Sequence, residues 1–353
     1  MRGDCMRKML AAIFKGNGVL EVEETEIPQI KEPTEILMKV ISASICGSDI
    51  HGLHVPPGQY IKPGIIMGHE FYGIIEEAGE KVKAYQAGDC VVVNPCVPCG
   101  ECWECRHDME NLCINPYHYG QTGHGGFAEY VVVDAKQLYR LPQGISSDLA
   151  PQTEPLACVM SGILMVNPMP TDHVLLYGAG PIGLTFIKVL KLFGVRNLAV
   201  CAKGERRIIM AKECGADIVI NSETESAGEV LKQEWEAYAD IVIDAVGTGE
   251  IMRDAVQLLN SRGRLLLFGL NENASAQVPP AIFTRKELQI VGALGKAFTH
   301  AIALLQDEKL GIEEFISHRF ALKDINQALD LLRSKEACRI IIYPDEKDVP
   351  TSH

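Results

Sequence analysis

Positive charge is scarce in this sequence. Its 353 residues include 33 lysines and arginines against 46 aspartates and glutamates, a formal net charge of -13. A surface that acidic repels phosphate backbones and anionic lipid, so no nucleic-acid or membrane-surface partner is expected. Local basic pockets stay compatible with it, because net charge constrains only the average. Long apolar runs are also lacking: none approaches the roughly 20 residues that a spanning helix needs. The first ten residues hold Arg2, Arg7 and Lys8 but no apolar core of a signal peptide, so a cytoplasmic protein is the default expectation. Internal repeats and low-complexity segments are missing too.

What the chain does have is bulk. Hydrophobic residues make up 47% and charged residues 22%, a balance that excludes disorder and suits a well-buried enzyme. The length exceeds what one core usually supports, so two domains are expected. Twelve cysteines are present, and five of them crowd between Cys96 and Cys113. A secreted disulfide scaffold would be short and evenly studded. One dense cluster in a long chain reads as metal binding under reducing conditions.

Three textures follow one another. Up to about Met165, the runs Ile36 to Ala43, Phe71 to Ala78, Cys90 to Val93 and Phe127 to Val133 read as strands broken by Gly, Pro and Asp, the pattern of a β-rich, barrel-like unit. From about Asn167 to Gly295, uninterrupted apolar runs alternate with helical stretches. The runs are His173 to Tyr177, Leu198 to Cys201, Ile218 to Ile220, Ile241 to Ala245, Arg264 to Phe268 and Leu288 to Val291. Such strands are buried on both faces, which a parallel sheet with helices on each side demands. From about Lys296 onward come a helical stretch, an extended piece at Arg319 to Phe320, a helix Ile325 to Ser334 and a strand Cys338 to Tyr343. The expected division is 1–165 with 296–353 against 166–295.

The strand His173 to Tyr177 feeds Gly178-Ala-Gly180-Pro181-Ile182-Gly183, a G-x-G-x-x-G turn, and an amphipathic stretch Leu184 to Phe193 follows. Gly178 permits the tight turn, Gly180 lets a pyrophosphate approach the backbone, and Gly183 lets helix and strand pack closely. In this strand–turn–helix context the motif indicates a dinucleotide site. The second strand of such a unit commonly ends in an acid that binds the adenosine ribose. Here that position is Ala202, followed by Lys203, with Glu205, Arg206 and Arg207 beyond. A missing carboxylate removes repulsion toward a 2′-phosphate, and Lys203 with Arg206 or Arg207 could pair with one, which favours NADP(H) over NAD. The opposite reading makes these solvated helix-end charges and gives the ribose contact to Glu205.

Cys99, Cys102, Cys105 and Cys113 can close a tetrahedral thiolate shell around Zn²⁺ with no open position, which describes a structural site. Cys96 lies close enough to leave the ligand set open on spacing alone. A second constellation is Cys46-Gly-Ser48-Asp49-Ile-His51, then Gly68-His69-Glu70, then Glu154 before Pro155. Cys46, His69 and a carboxylate give the mixed S, N and O donors of a catalytic zinc that keeps one position for water or substrate. Taken singly, each has an ordinary explanation: a core thiol, a satisfied histidine, a helix-start carboxylate. The case rests on their joint presence with the nucleotide motif.

Together with Gly88-Asp89, Gly125-Gly-Phe-Ala-Glu-Tyr130 and Glu154-Pro-Leu-Ala157, these segments resemble the zinc-containing medium-chain dehydrogenase/reductase superfamily, and within it the polyol (sorbitol-like) dehydrogenase branch. The resemblance spans essentially the whole chain. It implies an α/β protein with a Rossmann doubly wound parallel sheet and a GroES-like β-barrel catalytic domain. It implies a structural zinc on Cys99, Cys102, Cys105 and Cys113. A catalytic zinc would sit on Cys46 and His69, with Glu70 and Glu154 on its carboxylate side, one direct and one through water or on movement. Glu154 stands where other alcohol dehydrogenases of the superfamily place a cysteine, and that points to the polyol branch. Asp49 would orient His69, Ser48 would take the substrate hydroxyl proton, and His51 would relay it outward. The implied reaction passes a hydride between a secondary alcohol and NAD(P). Polyols, polyol phosphates, vicinal diols and threonine are the implied substrate range, and a homodimer or homotetramer the implied assembly. The strand region Leu288 to Leu294 is a candidate subunit edge. His54, Tyr60, Tyr117, His118, Tyr119 and His124 are candidate pocket residues or ordinary loop residues, and Lys296 is a candidate phosphate contact. A non-catalytic cofactor-binding protein would need these metal ligands to be lost, and all are present.

Overall fold

A computed structural model describes residues 7–271 and 273–350. The chain opens with an antiparallel hairpin, β1 (Lys8–Gly16) and β2 (Val19–Glu26). Then come β3 (Glu35–Ser44), the short helix α1 (Gly47–Gly52), β4 (Glu70–Ala78), β5 (Cys90–Val93), β6 (Cys96–Val97), β7 (Tyr117–His118), β8 (Tyr130–Asp134) and β9 (Leu138–Arg140). Helix α2 (Thr153–Val166) precedes an alternating stretch: β10 (His173–Tyr177), α3 (Pro181–Leu192), β11 (Asn197–Ala202), α4 (Glu205–Glu213), β12 (Ile218–Asn221), α5 (Ala227–Trp235), β13 (Ala239–Asp244), α6 (Gly249–Leu258), β14 (Leu259–Leu267), α7 (Ala281–Lys286) and β15 (Gln289–Gly292). The last part holds α8 (Phe298–Leu305), β16 (Ile316–Ala321), α9 (Ile325–Arg333) and β17 (Arg339–Tyr343).

These elements form two compact units. One comprises Met1–Glu154, Phe298–Gln306 and Glu313–His353, the other Pro155–Ala297 and Asp307–Ile312. The sequence places the first boundary at 165; the contacts place it at 154. The reason lies in α2. The Lys296 amide donates to Ser161 Oγ at 2.9 Å, and a Cβ on Gly162 would meet Leu266 and Phe186, so the helix beyond Pro155 packs with the second unit.

In the first unit a sheet runs in the order β16-β17-β3-β4-β5-β9, with β8 also paired to β3. All its pairs are antiparallel except β16 with β17. Ile36, Met38 and Val40 alternate along β3 into a core shared with Phe71, Ile75, Val91, Val93, Ile340 and Ile342. Several details differ from the sequence reading: β6, β7 and β9 are additional, and β16 starts at Ile316 rather than Arg319. The β1–β2 hairpin is additional. The expected strand at Phe127 starts instead at Tyr130, because Phe127 and Ala128 turn to β1, where the Ala12 amide donates to the Phe127 carbonyl at 2.8 Å.

The second unit holds an all-parallel sheet of order β12-β11-β10-β13-β14-β15. Adjacent residues such as Leu175 and Leu176, Val242 and Ile243, and Leu265 and Leu266 are all fully buried, so both faces are covered. The strand order reverses between β10 and β13, and β10 carries the glycine turn at its C-terminal end. That is where doubly wound sheets bind nucleotides.

Candidate active site and nucleotide site

In the first unit, β3 ends at Ser44 and Cys46 precedes α1. The Asp49 side chain turns back to accept the Cys46 amide at 2.9 Å and so fixes the start of the helix. Gly68 delivers the next donor. Its φ is +90°, and a Cβ there would lie 2.5 Å from the Phe127 ring, so only glycine serves. His69 follows, and Glu70 opens β4 directly opposite Ser44. The ligand atoms of Cys46, His69 and Glu70 all lie within 4.8 Å of one another. Glu154, in the first turn of α2, is outside that set.

Each donor is held from behind. His69 Nδ1 faces Asp49 Oδ1 at 3.5 Å, and its Nε2 lies 3.3 Å from Ser48 Oγ. Glu70 is fully buried; its Oε2 accepts from Ser44 Oγ and from Arg339 Nη1, the latter at 2.9 Å. Burial, with the Glu70 charge, raises the Cys46 thiol pKa. Burial opposes the His69 cation, yet Asp49 and Cys46 hold its pKa well above the usual value. The cluster therefore draws positive charge inward. Glu70 Oε1 is buried without a hydrogen-bond partner, a costly state for a carboxylate oxygen, while His69 Nδ1 and Asp49 Oδ1 face each other at 3.5 Å. A dication bound by thiolate, imidazole and carboxylate fits this donor set. Ser48 and His51 occupy successive turns of α1 on one face, with His51 exposed.

The cysteine lobe is a loop whose neck is clamped by β6 pairing with β7. The four sulfurs of Cys99, Cys102, Cys105 and Cys113 lie within 4.8 Å of one another, with Cys102 and Cys113 at 3.9 Å and Cys102 and Cys105 at 3.3 Å. A tetrahedron of Zn–S bonds has sulfur–sulfur edges of roughly 3.8 Å. Amides of Glu101 and Cys102 point at Cys99 Sγ, and they bring its pKa down to about 6. Cys96 sits on β6, outside the set.

In the second unit Gly178 has φ +102°, and Gly180 precedes α3, whose first residues are Pro181, Ile182 and Gly183. A Cβ on Gly183 would lie 2.0 Å from the Gly178 carbonyl oxygen, which is the close approach this position requires. Ala202 ends β11 and is buried. Lys203 is exposed and pairs with Glu223 at 3.4 Å; Arg207 is half-buried in α4.

Residues 32–143 match the model of the alcohol dehydrogenase GroES-like domain, and residues 181–307 match that of the zinc-binding dehydrogenases. The starvation-sensing protein RspB of Escherichia coli (strain K12) is 34% identical over 95% of this chain and 99% of its own. The chain belongs to the zinc-dependent medium-chain dehydrogenase superfamily, in its polyol branch. The D-altritol 5-dehydrogenase of Agrobacterium fabrum is 32% identical over 89% of this dehydrogenase and 92% of its own length. An L-threonine 3-dehydrogenase of Pyrococcus horikoshii is 31% identical over 95% and 99%. Among solved structures, RspB from Escherichia coli CFT073 complexed with NADH superposes with TM-score 0.89 at 32% identity, covering 96% of this chain and 100% of that one. A Sinorhizobium meliloti 1021 relative bound to NADP gives 0.88 at 27%, with the same coverage.

The other sequence candidates divide. In this dehydrogenase Tyr119 is buried, and its hydroxyl accepts the Asp134 amide. His124 Nδ1 accepts the Ile66 amide. His54 and Tyr60 are exposed, and Tyr117 packs edge-on against Tyr119. His118 alone of the six makes a ring contact with His69, at 5.9 Å between centroids. The sequence reading missed two features. Arg339 gave one signal, a lone charge in the apolar run of β17. The other is a cavity of about 130 Å³ lined by Asp244, Gly247, Thr248, Met252 and Gly269, beyond the C-terminal ends of β13 and β14. Its signal was the Gly247-Thr-Gly249 turn after a buried strand.

Proposed function

We propose that this dehydrogenase oxidises a secondary hydroxyl of a polyol, a polyol phosphate or a vicinal diol with NAD(P) as hydride acceptor. The observation that carries this is the Cys46, His69 and Glu70 donor set beside Ser48. In this reading those three residues hold the catalytic zinc, Glu154 supplies a further carboxylate on movement or through water, and Cys99, Cys102, Cys105 and Cys113 hold a structural zinc. Zinc, when bound, supplies Lewis acidity that lowers the pKa of the substrate hydroxyl. The nicotinamide, when bound, takes the hydride.

The protein's own residues do the rest. Asp49 and Arg339 hold His69 and Glu70 in place. Ser48 accepts the hydroxyl proton but is no base by itself, so it hands the proton toward His51, one helical turn on and open to water. The first unit carries the chemistry. The second binds the dinucleotide, with Gly178, Gly180 and Gly183 at the pyrophosphate and Ala202, Lys203 and Arg207 at the adenosine end. The absence of an acid at 202 favours NADP. The Lys203–Glu223 pair works against it, because it occupies the cation that a 2′-phosphate would use.

The similarity to threonine 3-dehydrogenases keeps an amino alcohol as the second reading. A homodimer or homotetramer joined at the exposed edge of β15 completes the proposal, in a cytoplasmic protein; among the described residues no helix is long and apolar enough to cross a membrane. The test is initial rates on polyols, polyol phosphates, 2,3-butanediol and threonine, each with NAD and NADP. Chelator-sensitive turnover of a diol or polyol supports the reading. Turnover of threonine alone moves it to the second.

A further inference from the structure

His118 lies at the neck of the cysteine lobe, yet its ring lies against the catalytic cluster. Its strand partner is Cys96, and its backbone is pinned on both sides. The His118 amide donates to Thr122 Oγ1 at 2.8 Å, and its carbonyl accepts the amides of Gln121, Thr122 and Gly123. The ring meets that of His69 at 5.9 Å and 67°. Its Nδ1 is 3.1 Å from the Tyr119 carbonyl. A carbonyl oxygen can only accept, so the ring proton sits on Nδ1, and Nε2 of the neutral imidazole carries a lone pair. The residue keeps part of its surface open. A core aromatic at this place would pack as well. A fixed tautomer beside a metal-ligand histidine has a further use.

We propose that His118 is a specificity-determining residue whose Nε2 accepts a hydrogen bond from a second substrate hydroxyl, on the carbon next to the reacting one. The proposal rests on the diol reading above. It assigns a task to the lobe as well: the β6–β7 clamp that closes the thiolate loop also sets the position of this acceptor. A polyol or vicinal diol carries the second hydroxyl, whereas a simple secondary alcohol leaves Nε2 unpaired.

The test compares His118→Phe, His118→Asn and His118→Gln in zinc-loaded enzyme, with metal content and near-UV dichroism checked first. Gln can place an acceptor near the Nε2 position; Asn reaches only the Nδ1 position. The expected result is a loss of about tenfold in kcat/KM for 2,3-butanediol in the Phe and Asn variants, mostly through KM, with 2-butanol changed less than about twofold and Gln restoring most of the loss. Calorimetric binding of the diol without nicotinamide should weaken in the same order. Equal losses on diol and monoalcohol, or none on either, overturn the proposal. A native enzyme that turns over no diol sinks the functional reading itself, and this inference with it; that failure shows before any variant is made.

Discussion

The Cys46–His69–Glu70 group and the Cys99–Cys102–Cys105–Cys113 group belong to the same unit but are assembled differently. The first is non-local. It joins the end of β3 to the start of β4, and it is braced by Arg339 from β17, far along the chain. The second comes from one short loop and is closed by a two-residue ladder. The first is mostly buried and mixed in chemistry, with a carboxylate oxygen left unpaired. The second is half-exposed, uniform, and has its four positions filled by sulfur. A non-local site depends on the whole sheet and can keep a position open for substrate. A four-sulfur set from one loop depends on that loop, and its four donors would leave no position open on a tetrahedral metal.

Substitutions should separate the two groups. Cys46→Ser or His69→Ala should lower turnover by about a thousandfold or more while the dissociation constant of the nicotinamide cofactor, read by fluorescence titration, moves less than about threefold. Near-native turnover without bound metal would remove the zinc chemistry from the account. Next in size, Arg339→Ala in metal-free protein should leave the Glu70 charge buried without its cationic partner and cost about 3–5 kcal/mol in chemical denaturation. A loss below about 1 kcal/mol would mean that the ion pair is not as enclosed as its burial indicates. Cys99→Ser or Cys113→Ser should lower the melting temperature or loosen the assembly, with activity following stability. A variant of the lobe that lost turnover as fully as Cys46→Ser, at full stability, would erase the distinction. The smallest effect is expected in the second unit. Lys203→Ala should lower kcat/KM with NADP by about tenfold or less and leave NAD almost unchanged. An NADP value left unchanged would favour the opposite reading, in which Lys203 is a solvated charge and the ribose contact falls to Glu205.

The sequence made local features legible. The glycine turn, the four thiols and the Cys46 to His51 stretch each sit within a few residues, and the parallel-sheet strands announced themselves as unbroken apolar runs. What stayed hidden was set by pairing over distance. The Arg339 contact with Glu70 spans 269 residues, and no periodicity encodes it. The ring contact of His118 with His69 arises because a two-residue ladder folds the lobe back. Helix α2 from Pro155 onward reads as part of the first region by position, but its packing partners lie in the second unit. The grouping of Glu70 with Cys46 and His69 also needed coordinates: register places Glu70 opposite Ser44, and its carboxylate falls within 4.8 Å of both other donors, which no sequence pattern encodes.

The most direct test is the zinc content per chain of the native protein and of Cys46→Ser and Cys99→Ser, each purified without chelator and measured by elemental analysis. The account predicts about two zincs in the native chain and about one in each variant, with turnover kept only where the Cys46 site is intact. One zinc in the native protein, or two in the Cys46→Ser variant, would contradict it.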